Sequence, residues 1–185
     1  MKRIEILIVF IVAGFIFCNR GLAPTGIKPL PQSTLSFPVD VVGGEMTGHW
    51  IPASENGLEA ALANPEALTG MVDSLILDSR LSGSLTVSSE MEMVFDSLLI
   101  QIYPNVYFGG IKIPVSPFIE FIDTTISYEQ PWANVVVAPI NTTFLKIDTL
   151  GYSASGDSLT LVTKPVEFPG FEFVKYYLLF RFIRD

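Results

Sequence analysis

From residue 34 to the C-terminus, apolar side chains recur at every second position, and no other feature limits the fold as strongly. Successive side chains of a strand point to opposite faces, so this period builds sheets with a buried face and argues against a helical bundle. The longest run, residues 171–184, separates into two faces. One carries Val174, Tyr176, Leu178, Phe180 and Phe182 between Glu172 and Arg184; the other is mixed, with Phe171, Phe173, Lys175, Tyr177, Leu179, Arg181 and Ile183. Earlier runs set Leu75 and Leu77 on one face of residues 71–78, then Leu85 with Val87. Met91, Met93 and Phe95 begin a further ribbon that Leu98, Ile100 and Ile102 continue. Leu35, Phe37, Val39 and Val41 predict a first strand, on a sheet edge because Pro38 has no N–H for a ladder.

Later strands are predicted at 118–123, 125–128, 135–138, 142–148 and 158–163. Residues 103–117 hold Pro104, Gly109, Gly110, Pro114 and Pro117, which restricts them to short or edge strands. One interval breaks the period. Ser54 or Asn56 caps a predicted helix over 57–63 that puts Leu58, Ala61 and Leu62 on one face, and Asn64-Pro65 ends it, with one more turn over 65–68. The expected fold is therefore all-β or mainly β: an antiparallel sandwich or partly open barrel with one short helical insertion near 56–68.

The N-terminus reads as an export signal. Lys2 and Arg3 precede an apolar run at residues 6–17, too short for the roughly 20 residues that span a bilayer as a helix. The only cysteine, Cys18, closes that run, and its placement resembles a bacterial lipoprotein signal, in which such a cysteine is lipidated. Phe15-Ile16-Phe17 lacks the small residue such signals carry before the cysteine, and the small-x-small site Gly21-Leu22-Ala23 is followed by Pro24. Lipidation at Cys18 and cleavage elsewhere both stay open. Expected organisation is a signal peptide at 1–18, a Pro/Gly linker at 19–33 and one β-rich domain at 34–185. The expected location is bacterial and exported: periplasm, outer membrane or cell surface, with membrane contact through an N-terminal lipid.

Composition excludes one class of partner. The chain carries a formal charge of −8 and no basic cluster, so nucleic acid is not expected. Its charged fraction is 16%, against roughly 25% in ordinary soluble domains. Apolar surface is left for a partner, a lipid or a hydrophobic ligand to cover.

Residues that carry chemistry are sparse. The one histidine, His49, sits after Gly43-Gly44-Glu45 in a glycine-rich loop, where Glu45 or Asp40 would orient it as a base. That is a turn composition more than a catalytic one. No Gly-x-Ser-x-Gly elbow, phosphate loop or metal-ligand spacing occurs. Glu90 and Glu92 alternate with Met91 and Met93 and read as the wet face of a strand. Asp73-Ser74-Leu75, Asp96-Ser97-Leu98 and Asp157-Ser158-Leu159 recur without the spacing of a calcium loop, and read as strand entrances. No catalytic residue, metal or cofactor is expected.

These observations predict a non-catalytic exported envelope protein, a structural or binding module of β-sandwich type with an envelope protein as partner. One alternative is a carrier of a lipid or other hydrophobic ligand, held by Leu58, Leu62, Met91, Met93, Phe95, Tyr176 and Phe180. A second is a small outer-membrane β-barrel, whose lipid-facing strands would show the same apolar stripe as 171–184.

Overall fold

The computed structural model describes residues 29–168 and 171–185. The expected signal peptide, Cys18 and most of the expected linker lie outside the described residues. Twelve strands follow in chain order: β1 (Gly48–Pro52), β2 (Leu58–Leu62), β3 (Ser74–Val87), β4 (Glu92–Phe108), β5 (Ile111–Ile113), β6 (Phe118–Ser127), β7 (Glu129–Trp132), β8 (Val135–Asn141), β9 (Lys146–Ser155), β10 (Ser158–Thr163), β11 (Val166–Phe168) and β12 (Phe171–Arg184). They form one sheet in the order β5-β4-β3-β1-β12-β10-β9-β8-β7, with β6 beside β4 and with β2 and β11 beside β12. Neighbouring strands pair antiparallel.

The sheet curls on itself. Phe95, Leu98, Ile100 and Ile122 from β4 and β6 pack in one cluster with Ile140 and Ile147 from the opposite end of the strand order and with Leu161 and Phe182 from its middle. The apolar face of β12 points into this cluster. Between β6 and β8 lies a seam without a ladder among the described residues, closed by side chains instead. The buried Glu120 carboxylate accepts the Phe144 N–H, and the Phe118 and Phe144 rings meet edge to face at 5.7 Å. An inward carboxylate on an outer strand also discourages edge-to-edge association. The result is the expected antiparallel, partly open barrel.

Local irregularities explain why the period shifts along the sequence. Buried positions on β4 run Met93, Phe95, then Leu98, Ile100, Ile102, a change of phase at Asp96-Ser97. Ser97 takes a left-handed φ of 53° in a bulge opposite Gly83, which has φ of 94°. Pro104 stands between Ile102, the last β4 residue paired to β6, and Val106, the first paired to β5. Pro131 and Pro139 likewise fall where the β7–β8 and β8–β9 registers slip.

Two expectations are corrected. The predicted helix over 57–63 is instead β2, paired residue for residue to β12 from Leu62↔Tyr176 to Leu58↔Phe180. Leu58, Ala61 and Leu62 fit a helical face, but Leu58, Ala60 and Leu62 fit a strand face equally, and the long β12 edge decides the matter. Among the described residues only Pro65–Leu68 is helical, as one 3-10 turn within the expected 56–68 interval.

The predicted first strand is also not a member of the sheet. Residues 33–42 cross its outer face as an extended strap, with Leu35, Phe37, Val39 and Val41 half-buried and the residues between them exposed. Beneath lies the cross-strand row Val135, Gly151, Val162, Leu179, whose three side chains are buried although they face outward. Phe37 and Val41 stand so close over Gly151 that a Cβ there would meet both at 3.0 Å. The alternation thus reports an apolar surface underneath, not a ladder.

Asn134 in the β7–β8 turn clamps both ends of the strap: its Oδ1 accepts the Ser33 N–H at 2.8 Å and its Nδ2 donates to the Val41 carbonyl at 3.1 Å. Gly43-Gly44, which the sequence suggests as a flexible loop, are close-approach positions, since a Cβ on Gly43 would stand 1.9 Å from the Ala133 carbonyl oxygen. Asn134→Leu is expected to cost roughly 2 kcal/mol, the penalty of stranding these groups. It should also open residues 33–42 to limited proteolysis while the rest resists. Wild-type resistance in that variant would contradict the clamp.

Candidate functional site

A large opening in the surface lies where the sheet divides. β1 holds β3 only through Gly48↔Val87 to Trp50↔Leu85, and β2 pairs with β12 alone. A Leu81 N–H bond to the Glu55 carbonyl and a Ser79 Oγ–H bond to the Leu58 carbonyl, 3.3 and 2.7 Å, bridge the two sides. Alongside these bonds the strands leave a cleft of about 800 Å³.

Its rims carry the side chains that the outer faces of four strands present. Arg181 of β12 forms an ion pair with Glu59 of β2 at 2.7 Å. Across the cleft the Asn105 amide donates to Asp78 at 2.7 Å, and the Arg80 guanidinium lies 5.9 Å from the Tyr103 ring centre. Each pair is a diagonal neighbour in the ladder: Glu59 pairs with Leu179, Asp78 with Tyr103 and Arg80 with Gln101. Among the described residues Arg80 has no carboxylate within ion-pair distance. The arrangement offers one cation without an ion-pair partner, an aromatic face and amide groups: equipment for holding a polar ligand.

A second, smaller opening is wholly apolar. Leu68 from the 3-10 turn, Val72, Leu75, Val106, Ile113 and Phe168 surround about 200 Å³ at one end of the barrel.

The predicted ligand residues do not gather around a shared space. Leu58, Met93, Phe95, Tyr176 and Phe180 are core residues, Leu62 is half-buried, and Met91 is exposed with a left-handed φ in the β3–β4 turn. Phe95 and Phe180 share an internal cavity of about 20 Å³. That holds about one water molecule, not an acyl chain. Of the predicted ligand residues Leu58 lines the large cleft, while its charged, aromatic and amide lining, Glu59, Asp78, Arg80, Tyr103, Asn105 and Arg181, is not among them. Their one signal is the scarcity of charge, which makes outward Asp78, Arg80 and Arg181 on apolar ribbons conspicuous.

His49 sits apart. Its Nδ1 meets Thr86 Oγ1 at 2.8 Å and its Nε2 lies 3.8 Å from the Asp185 carboxylate, all at the surface. Glu45 does not orient it. Instead that carboxylate accepts the Thr47 N–H at 3.0 Å, and the side-chain and backbone hydrogen bonds from Thr47 hold its pKa below the usual range. Of the Asp-Ser-Leu repeats, Asp73 accepts the Gly110 N–H at 2.8 Å and Ser158 bonds the turn before β10. Asp96-Ser97 forms the β4 bulge rather than a strand entrance.

Tyr176 has a measurable consequence of its burial. Burial, aided by Glu120, pushes its hydroxyl from 10.0 up to about 12. The unfolded chain therefore ionises first. The stability this group contributes is whole below pH 10 and is lost as pH rises through about 12, roughly 2–3 kcal/mol at 1.36 kcal/mol per unit. Denaturant titrations from pH 9 to 12 should show Tyr176→Phe losing less stability than wild type across that window. Parallel curves would contradict the assignment.

In comparisons with known proteins, no protein-family model, no curated protein and no solved structure matches this chain.

Proposed function

We propose that this chain is a non-catalytic, exported envelope module built on a partly open β-barrel, anchored through Cys18, that binds its partner in the outer cleft between β2 and β3. The single observation that carries the reading is the contrast between that cleft, about 800 Å³ with charged and aromatic rims, and an interior cavity of about 20 Å³. Binding sites fall in the range of roughly 300–1,000 Å³ and combine apolar walls with a few placed polar groups. Leu58, Ala60 and Leu77 supply such walls here, and Arg80, Tyr103 and Asn105 the polar groups. Lys2, Arg3 and the apolar run ending at Cys18 support export. Two features support a water-facing outer surface over a lipid-facing barrel. The apolar stripe of β12 points inward, and Asp78, Arg80 and Ser82 of β3 point out.

The apolar groove beside Leu68 favours a second reading, a binder of a small hydrophobic group. Its volume of about 200 Å³ suits one aromatic or aliphatic side chain better than a lipid.

In-cell photocrosslinking tests the principal reading. A photoreactive phenylalanine at Tyr103 should capture an envelope component, and the same residue at exposed Ile183 should not. Capture at Ile183 alone, or at neither, would overturn the cleft as the binding surface. Turnover of an ester, glycoside or peptide that His49→Ala abolishes would overturn the non-catalytic reading.

A further inference from the structure

Resting on the binding-module reading, we infer that the cleft takes an extended peptide segment of a partner protein, bound through backbone hydrogen bonds and one acidic side chain placed on Arg80. Three observations lead there.

The first is which residues line the cleft. Leu58-Glu59-Ala60 border one side and Leu77-Asp78-Ser79-Arg80 the other, each an unbroken run. Strand side chains alternate between faces, so a space that every consecutive residue touches faces the strand's edge. The cleft walls are thus main chain as much as side chain.

The second is the backbone accounting. β3 from Ser74 to Ser82 spends one edge on β4, and β2 spends one edge on β12. Between their other edges, among the described residues, the only polar links are the Leu81–Glu55 and Ser79–Leu58 bonds. A ligand that carries N–H and C=O groups at strand spacing matches the edge that Leu77–Arg80 turn to the cleft, away from β4. An extended peptide does so, and a sugar or a lipid headgroup does not.

The third is charge. Arg181 is tied to Glu59, and Asp78 is held by Asn105, while Arg80 faces only the Tyr103 ring. A carboxylate side chain completes Arg80 and leaves the ring to cover an apolar neighbour. Because the whole chain carries a net charge of −8, a segment with many acidic residues would be repelled. The fitting segment has one carboxylate among uncharged residues.

The probe is an array of decapeptides with blocked termini, each uncharged except for a single Asp or Glu, set against matched peptides with Asn, Gln or Lys at that position. The acidic peptides should bind the full-length protein and shift the backbone amide resonances of residues 58–60 and 77–80. Arg80→Gln should weaken them about tenfold, the effect of one charged hydrogen bond, while Lys175→Gln elsewhere on β12 leaves them unchanged. Binding without acidic preference, or shifts confined to residues around Leu68 and Ile113, would overturn the inference. Failure of every peptide while the photocrosslink at Tyr103 still captures a partner would also overturn it, leaving the binding module standing. Failure of both would remove the two together.

Discussion

Trp50→Ala should cost this protein roughly 3–5 kcal/mol, the range for truncating a buried aromatic core residue. Trp50 is 0% exposed and occupies the only stretch where β1 joins the two halves of the sheet, opposite Leu85 of β3 on one side and Arg184 of β12 on the other. Its indole N–H donates to the Met46 carbonyl at 2.7 Å, and the Arg184 guanidinium lies over the ring at 4.8 Å. Truncation leaves a cavity and strands that carbonyl. Domains of this size are stable by only about 5–15 kcal/mol, so the variant should populate unfolded forms in mild urea. Urea titration followed by far-UV circular dichroism measures it. A loss under about 1 kcal/mol would show that β1 is not the tie between the halves.

Gly83→Ala should be comparably severe, and Gly70→Ala separates its two causes. Both glycines have left-handed backbone, with φ of 94° and 79°. At Gly70 an added Cβ meets nothing within 4 Å, whereas at Gly83 it would stand 2.3 Å from the Ser97 carbonyl oxygen and 2.7 Å from Leu98 Cα. Gly70→Ala is therefore expected to cost only the backbone strain, about 1–2 kcal/mol. Gly83→Ala adds overpacking in the middle of the β3–β4 ladder, for a total of roughly 2–5 kcal/mol. Equal losses at the two sites, read from matched denaturation curves, would contradict the close approach at the bulge.

Much of the fold was legible because burial on one face writes a period of two into the sequence. The strands over 158–163 and 171–184 end where that pattern predicts. The pattern was misleading in two physical situations. In residues 57–63 the alanines at 60 and 61 satisfied helical and extended periods alike, and only the partner strand β12 selected one. In residues 35–41 a real alternation arose from lying on an apolar surface, which leaves the same mark as membership of a sheet. The cleft was illegible for a different reason. Glu59 meets Arg181, and Arg80 meets Tyr103, through ladder registers that depend on bulges at Ser97 and on how β1 and β2 share β12. Neither residue type nor spacing along the chain encodes those registers locally. The residues named for a hydrophobic ligand, Met93, Phe95 and Phe180 among them, pack as core, because a core side chain and a ligand-lining one leave the same apolar mark in the sequence.

The cleft that carries the proposed function is open only if β2 and the first half of β3 leave their facing edges unpaired, and backbone amide hydrogen exchange reads that directly without any ligand. Amides of residues 58–62 and 74–80 should fall into two classes along each strand. Alternate amides that face β12 or β4 should be protected, and those between them, facing the cleft, should exchange close to the rate of solvent-exposed backbone. Uniform protection along β2 and along the first half of β3 would mean that the strands pair with each other in solution, the cleft is closed, and the account of its function is wrong.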